Sequence, residues 1–160
     1  MSASEIVTAL AARGETLACA ESLTGGLLCD AIVQVPGASR VFMGGVVAYD
    51  EGRKVTLLGV DPQTLKDHSA VSRETALEMA RGARVRLGTT YALATTGYAG
   101  PGGADVGLVY VACASPQGET VAEHRFSGSR AEIRRQAVTA ALALLQLIIR
   151  NESRTNHCEL

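Results

Sequence analysis

Tryptophan is absent from this 160-residue chain, and two phenylalanines and four tyrosines are its only aromatics. That excludes an array of stacking platforms for single-stranded bases. Positive charge is not in excess either: 15 Lys and Arg face 16 Asp and Glu, for a formal net charge of −1. A chain without a basic surplus has no long-range field to collect phosphate backbones, so no nucleic-acid partner is expected. The three histidines, His68, His124 and His157, have no metal-ligand spacing, and no HExxH motif occurs. The four cysteines lack a CxxC pair, and Cys19, Cys29 and Cys113 lie in apolar runs, where a reduced thiol packs as a small hydrophobe. No metal is expected. The longest apolar stretch, 137–149, is broken by Thr139 and Gln146 and is too short to span a bilayer, and no charged-then-apolar leader precedes Ser4. The expectation is a cytoplasmic protein with no membrane partner. GxGxxG, GxxxxGKS and GxSxG are missing too, which removes a Rossmann fingerprint, a P-loop and a nucleophile elbow.

What is abundant is aliphatic residues and glycine: the chain is 47% hydrophobic and holds 17 glycines. This length and composition suit one domain around one core, expected over 1–150, with 151–160 as a polar, frayed tail in which His157 and Cys158 are incidental. Ser2 and Glu5 have capping-box spacing ahead of Ile6, Val7, Leu10 and Ala11, and Gly14 supplies a left-handed stop. Strand-length apolar runs follow at 16–20, 41–49 and 91–95. Between them come a helix from Leu27, ended by Pro36-Gly37, and a longer one opened by Ser72 and closed by Gly88. Runs at 108–114 and 120–126 flank Ser115-Pro116-Gln117-Gly118, a hairpin signal. A second capping box, Ser129 with Glu132, opens a last helix with an apolar face. The pattern predicts an α/β fold with a mixed sheet and a C-terminal hairpin plus helix.

Three polar, glycine-bearing turns border the first three strands: 21–26, 49–54 and 96–103. Ligands in open α/β sheets gather at the carboxyl ends of strands, so these turns predict one shared pocket, suited to a phosphorylated nucleotide. In the first, Ser22, Thr24 and the amides of Gly25 and Gly26 would stand at a helix N-terminus, a natural anion site; Ser22 or Thr24 as a plain N-cap is the competing reading. In the third, clustered glycine amides could cradle an anion or simply supply positive φ. The second carries Lys54, five residues after Tyr49. A lysine buried beside a serine loses proton affinity and can deprotonate the hydroxyl, whereas a lysine in solvent does nothing of the kind.

Together these segments resemble the C-terminal domain of the competence/damage-inducible CinA proteins and their stand-alone relatives, the nicotinamide mononucleotide (NMN) deamidases. The resemblance rests on Ala20-Glu21-Ser22-Leu23-Thr24-Gly25-Gly26, Pro36-Gly37-Ala38-Ser39, Tyr49 with Lys54, Ala70-Val71-Ser72, the run Thr96 to Gly103, and Phe126-Ser127-Gly128 with Arg130 and Arg134, spread over about 4–150. It implies a three-layer α/β/α sandwich with a mixed, mostly parallel sheet. It also implies hydrolysis of the NMN carboxamide to nicotinate mononucleotide and ammonia by a Ser/Lys dyad, with no cofactor, in a stand-alone homo-oligomer. Carried over by position, the dyad falls on Lys54 with Ser39 or Ser22, and Tyr49 nearby. Ser39 is preferred as nucleophile and Ser22 as a substrate or oxyanion ligand. Substrate contacts are expected from Thr24, Gly25, Gly26, Thr96, Gly97, Gly100, Gly102, Arg130 and Arg134. The chain departs from the family pattern at Asp50-Glu51-Gly52-Arg53, where Ser-Asn-Glu-Ala is usual, in a shortened segment 103–106, at Leu108 and at Ser129. The alternative is a catalytically silent paralogue that binds a pyridine nucleotide or a protein partner.

Overall fold

The helix stops and starts read from the sequence recur in the computed structural model, which describes residues 2–158. Ser2 and Glu5 close a reciprocal capping box on α1 (Ala3–Arg13), and Gly14 ends it with φ 65°. There follow β1 (Leu17–Glu21), α2 (Leu27–Val33), a 3-10 turn (Ala38–Arg40) and β2 (Phe42–Val47). Next come α3 (Glu51–Leu58), α4 (Pro62–His68), α5 (Arg73–Leu87) and β3 (Tyr91–Gly97), and finally the hairpin β4 (Leu108–Ser115) and β5 (Gly118–Arg125) with α6 (Arg130–Cys158). Asp61 caps α4 with Pro62 in its first turn, and Ser72 caps α5.

The sheet order is β2-β1-β3-β4-β5. β1 pairs in parallel with β2 and β3, while β3-β4 and β4-β5 are antiparallel. The parallel half therefore aims the carboxyl ends of β1, β2 and β3 at one edge of the molecule.

The two faces of the sheet are built differently. Strand alternation sends Leu17, Cys19, Leu93, Val109, Val111 and Cys113 to one face, under Ile6 and Leu10 of α1, Leu28 and Ile32 of α2 and Ile133, Ala137 and Leu145 of α6. The other face presents Ala18, Ala20, Ala92, Ala94, Ala112 and Ala114 to Ala76, Met79, Ala80 and Ala83 of α5. Methyl groups on both sides let α5 lie close against the strands. Gly82 lets α3 approach in turn: a Cβ there would stand 1.8 Å from the Leu58 carbonyl oxygen. This seats α3, and with it Lys54, against the C-terminal end of the sheet.

The expected frayed tail is corrected, because α6 continues through Cys158. The polar residues past 150 have partners at the sheet's other end. Arg13 donates to the Ile149 carbonyl and the Ser153 hydroxyl, and the Tyr91 phenol donates to Glu152. His157 Nδ1 lies 2.7 Å from the Ser153 carbonyl, one turn back along the same helix. The Cys158 side chain and residues 159–160 lie outside the described residues. No helix among the described residues is long and apolar enough to cross a membrane.

Candidate active site

Adjacent parallel strands deliver the three polar turns to one place. The Ala48 amide donates to the Glu21 carbonyl (2.9 Å) and the Ser22 amide to the Thr95 carbonyl (3.1 Å), so the ends of β2, β1 and β3 are knitted together. Asp50 caps α3 by accepting from the Arg53 amide, and the first turn of that helix carries Lys54 inward. Aspartate caps a helix as well as serine does, so the departure from the family pattern at 50–53 leaves this geometry intact.

Lys54 is only 1% exposed. Its Nζ donates to Ser22 Oγ at 2.9 Å, to the Ala48 carbonyl at 2.8 Å and to the Tyr49 carbonyl at 3.2 Å. Burial lowers the ammonium's proton affinity below the ordinary lysine value, against the opposing pull of Glu51 and Asp50. In the neutral amine the two carbonyls can hold both N–H groups, which leaves the lone pair for the Ser22 hydroxyl.

The expected pairing of Lys54 with Ser39 is corrected by this arrangement. Ser39 is exposed on the 3-10 turn, just before β2 begins. The Leu17 amide, at the start of β1, donates to the Val41 carbonyl at the end of that turn. Ser39 thus stands at the amino ends of the parallel strands, a full strand length from Lys54.

Several expected ligand contacts also find their partners inside the chain. Glu21 is fully buried, and its carboxylate accepts from the amides of Gly26 (3.2 Å), Leu28 (2.8 Å) and Cys29 (3.0 Å). An internal carboxylate therefore occupies the α2 N-terminus that was expected to receive an anion. The Gly25 amide donates to the Ser22 carbonyl. The Thr24 and Thr95 hydroxyls bond each other at 2.7 Å, and Thr96 Oγ1 donates to the Ala70 carbonyl. Gly97 belongs to β3, where a Cβ would stand 2.7 Å from Val109. Arg134 grips the Leu23 and Thr24 carbonyls.

Arg130 is different: it is exposed, and its guanidinium bridges the Gly100 carbonyl (2.6 Å) and the Tyr49 hydroxyl (3.2 Å), which joins the third turn to the second above the dyad. Gly102 is exposed beside it, in the same turn. Sequence reasoning gave Glu21 and Thr95 no role. The only trace of Glu21's function is a carboxylate five residues before Gly26, and recognising it requires knowing that the chain doubles back there. Among the described residues no group of three or more His, Cys, Asp or Glu is placed to hold a metal ion.

The profile of the CinA C-terminal domain matches residues 1–149. The chain is 46% identical over 149 residues to a CinA-like protein of Myxococcus xanthus, covering 90% of this chain and 35% of that one. It is 44% identical over 138 residues to a CinA-like protein of Acidobacterium capsulatum, covering 84% and 33%. The chain thus spans about a third of the length of these curated relatives. Among solved structures, the competence/damage inducible protein CihA from Agrobacterium tumefaciens superposes with a TM-score of 0.89 at 40% identity, covering 92% of this chain and 93% of that one. Fold and sequence agree: this chain belongs to the CinA C-terminal domain family.

Proposed function

We propose that the chain hydrolyses the carboxamide of nicotinamide mononucleotide to nicotinate mononucleotide and ammonia, with Ser22 as nucleophile and Lys54 as base. The observation that carries this reading is the buried Lys54 Nζ 2.9 Å from Ser22 Oγ. Neutral Lys54 takes the Ser22 proton as Oγ bonds to the carboxamide carbon, and negative charge moves to the amide oxygen. The amide of Leu23, which donates to no acceptor among the described residues, follows directly on the nucleophile and is the donor available to that oxygen. Collapse of the adduct breaks the C–N bond, and Lys54 returns its proton to departing ammonia. Water then enters, loses a proton to Lys54 and attacks the ester. The carboxylate leaves, and Ser22 recovers its proton. Arg130, exposed at the mouth with Tyr49, suits the substrate's phosphomonoester.

The test is ammonia release from NMN by the purified protein and by folded Ser22→Ala, Lys54→Ala and Ser39→Ala variants. Turnover that disappears with Ser22 and Lys54 but survives loss of Ser39 supports the reading. A folded wild-type protein that binds NMN without releasing ammonia is the silent paralogue instead.

A further inference from the structure

Gly45 of β2 stands directly opposite Cys19 of β1 in the parallel register. Its φ lies outside the left-handed range, so backbone conformation does not call for glycine there. Space does: a Cβ on Gly45 would stand 2.2 Å from Cys29 Sγ and 3.7 Å from Cys19 Cβ. The Cys29 sulphur of α2 thus fills the place of a side chain at 45, and there it lies beside the cysteine of the neighbouring strand. Burial pushes the Cys19 thiol well above its ordinary range, and the adjacent Cys29 thiol pushes it further.

The two thiols differ in access. Cys19 is fully buried, whereas Cys29 is only partly buried, and Gly45, whose missing side chain makes the slot, is exposed on an outermost strand of the sheet. A small reagent therefore meets Cys29 first, from the β2 edge. Cys113 is not an alternative partner for Cys19. The register aligns Cys19 with Leu93 and Leu93 with Cys113, so β3 stands between them. Two strand spacings separate those backbones by about 10 Å, beyond the reach of a disulfide.

We propose that Cys19 and Cys29 form a redox-modification site, at which a hydroperoxide closes a reversible disulfide that brackets Glu21 and Ser22. The site stands independently of the reaction assigned to Ser22. In the first step Cys29 sulphur bonds to one peroxide oxygen, the O–O bond breaks, and the departing hydroxide takes the thiol proton as water, which leaves a sulfenic acid. In the second, Cys19 sulphur attacks Cys29 sulphur, the S–O bond breaks, and the hydroxyl leaves with the Cys19 proton as a second water. Two thiols have then given two electrons to one peroxide. A thiol pair reduces the disulfide again.

The sequence makes the test direct, because the tryptic peptide 14–40 carries Cys19 and Cys29 and no other cysteine. Hydrogen peroxide is added to the reduced, folded chain, free thiols are alkylated, and the digest is read by mass spectrometry. Peptide 14–40 is expected to become lighter by two hydrogens and to resist alkylation, and dithiothreitol should reverse both changes. Cleavage after Glu21 should leave its halves joined. Cys29→Ser is expected to lose the link altogether and Cys113→Ala to keep it. Cys29 recovered as sulfinic acid beside an alkylated Cys19, a link only between two chains, or a link that forms only in urea would each overturn the proposal. So would two thiols that survive peroxide at a level that oxidises free cysteine.

Discussion

The two ends of the parallel strands each carry a serine, and only Ser22 of the two is bonded to a lysine. At the carboxyl end, Ser22 is 7% exposed and bonded to a lysine that is itself buried, beneath a turn tied down by Glu21 and Arg134. At the amino end, Ser39 is exposed on a short turn, and the polar residues nearby do structural work. The Thr16 and Thr90 amides each donate to the other's hydroxyl oxygen, and Arg13 and Tyr91 hold the last turns of α6. At the carboxyl end the serine is bonded to a lysine whose proton affinity burial lowers, whereas among the described residues no lysine stands beside Ser39.

The sharpest way to break this contrast is to exchange the serines' fates. Ser22→Ala or Lys54→Ala is expected to reduce NMN turnover by about 10³-fold or more, as loss of a nucleophile or its base does. Ser39→Ala should stay within about two-fold, like other surface changes. Ammonia release under saturating substrate reads all three.

Next in size is the anchor beneath the reactive turn. Glu21→Ala removes a carboxylate that accepts three backbone N–H bonds and is expected to cost about 3 kcal/mol in urea unfolding. Thr90→Ala, at the opposite end, removes a neutral hydroxyl pair and should cost about 1 kcal/mol. Equal costs would mean that the two ends are held alike.

Gly82 tests the contrast from a distance. Gly82→Ala drives a methyl into the Leu58 carbonyl, must shift α3, and is expected to cost about 2 kcal/mol. Lys54 lies on that helix, so NMN turnover should fall further than the fraction of folded protein does, measured by circular dichroism alongside the assay.

The smallest effect concerns pH. The rate should rise with pH on a limb below the ordinary lysine value, because the neutral amine is the active form and burial favours it. Asp50 and Glu51 oppose that shift, so Asp50→Asn with Glu51→Gln is expected to move the limb to lower pH by less than about one unit. Between Lys54's depressed folded value and its ordinary value, the unfolded chain binds more protons than the folded one, so stability climbs with pH through that window. In Lys54→Met both the limb and the climb should vanish.

Much of the fold is legible from residue order. Capping residues at Ser2, Asp61, Ser72 and Ser129 and glycine stops at Gly14 and Gly88 act within one or two turns, so they can be read without the tertiary structure. The end of α6 is not legible in the same way. Its polar residues look frayed until Arg13 and Tyr91, more than 60 positions away, supply their partners. Ser22, Tyr49 and Lys54 are visible as candidates, but what each touches is not. Arg134 looks like a phosphate ligand because an arginine near a glycine-rich turn often is one, yet its guanidinium closes on that turn's own carbonyls.

By itself, the sequence determined the α/β class, the places of most helices and strands and the three polar turns at strand ends, because caps, alternation and glycine act over a few residues. The tertiary structure alone decided which serine meets Lys54 and that Glu21 already occupies the helix terminus meant for an anion. Those outcomes depend on burial and on distances between segments far apart in the chain, and neither exists until the strands have lined up side by side.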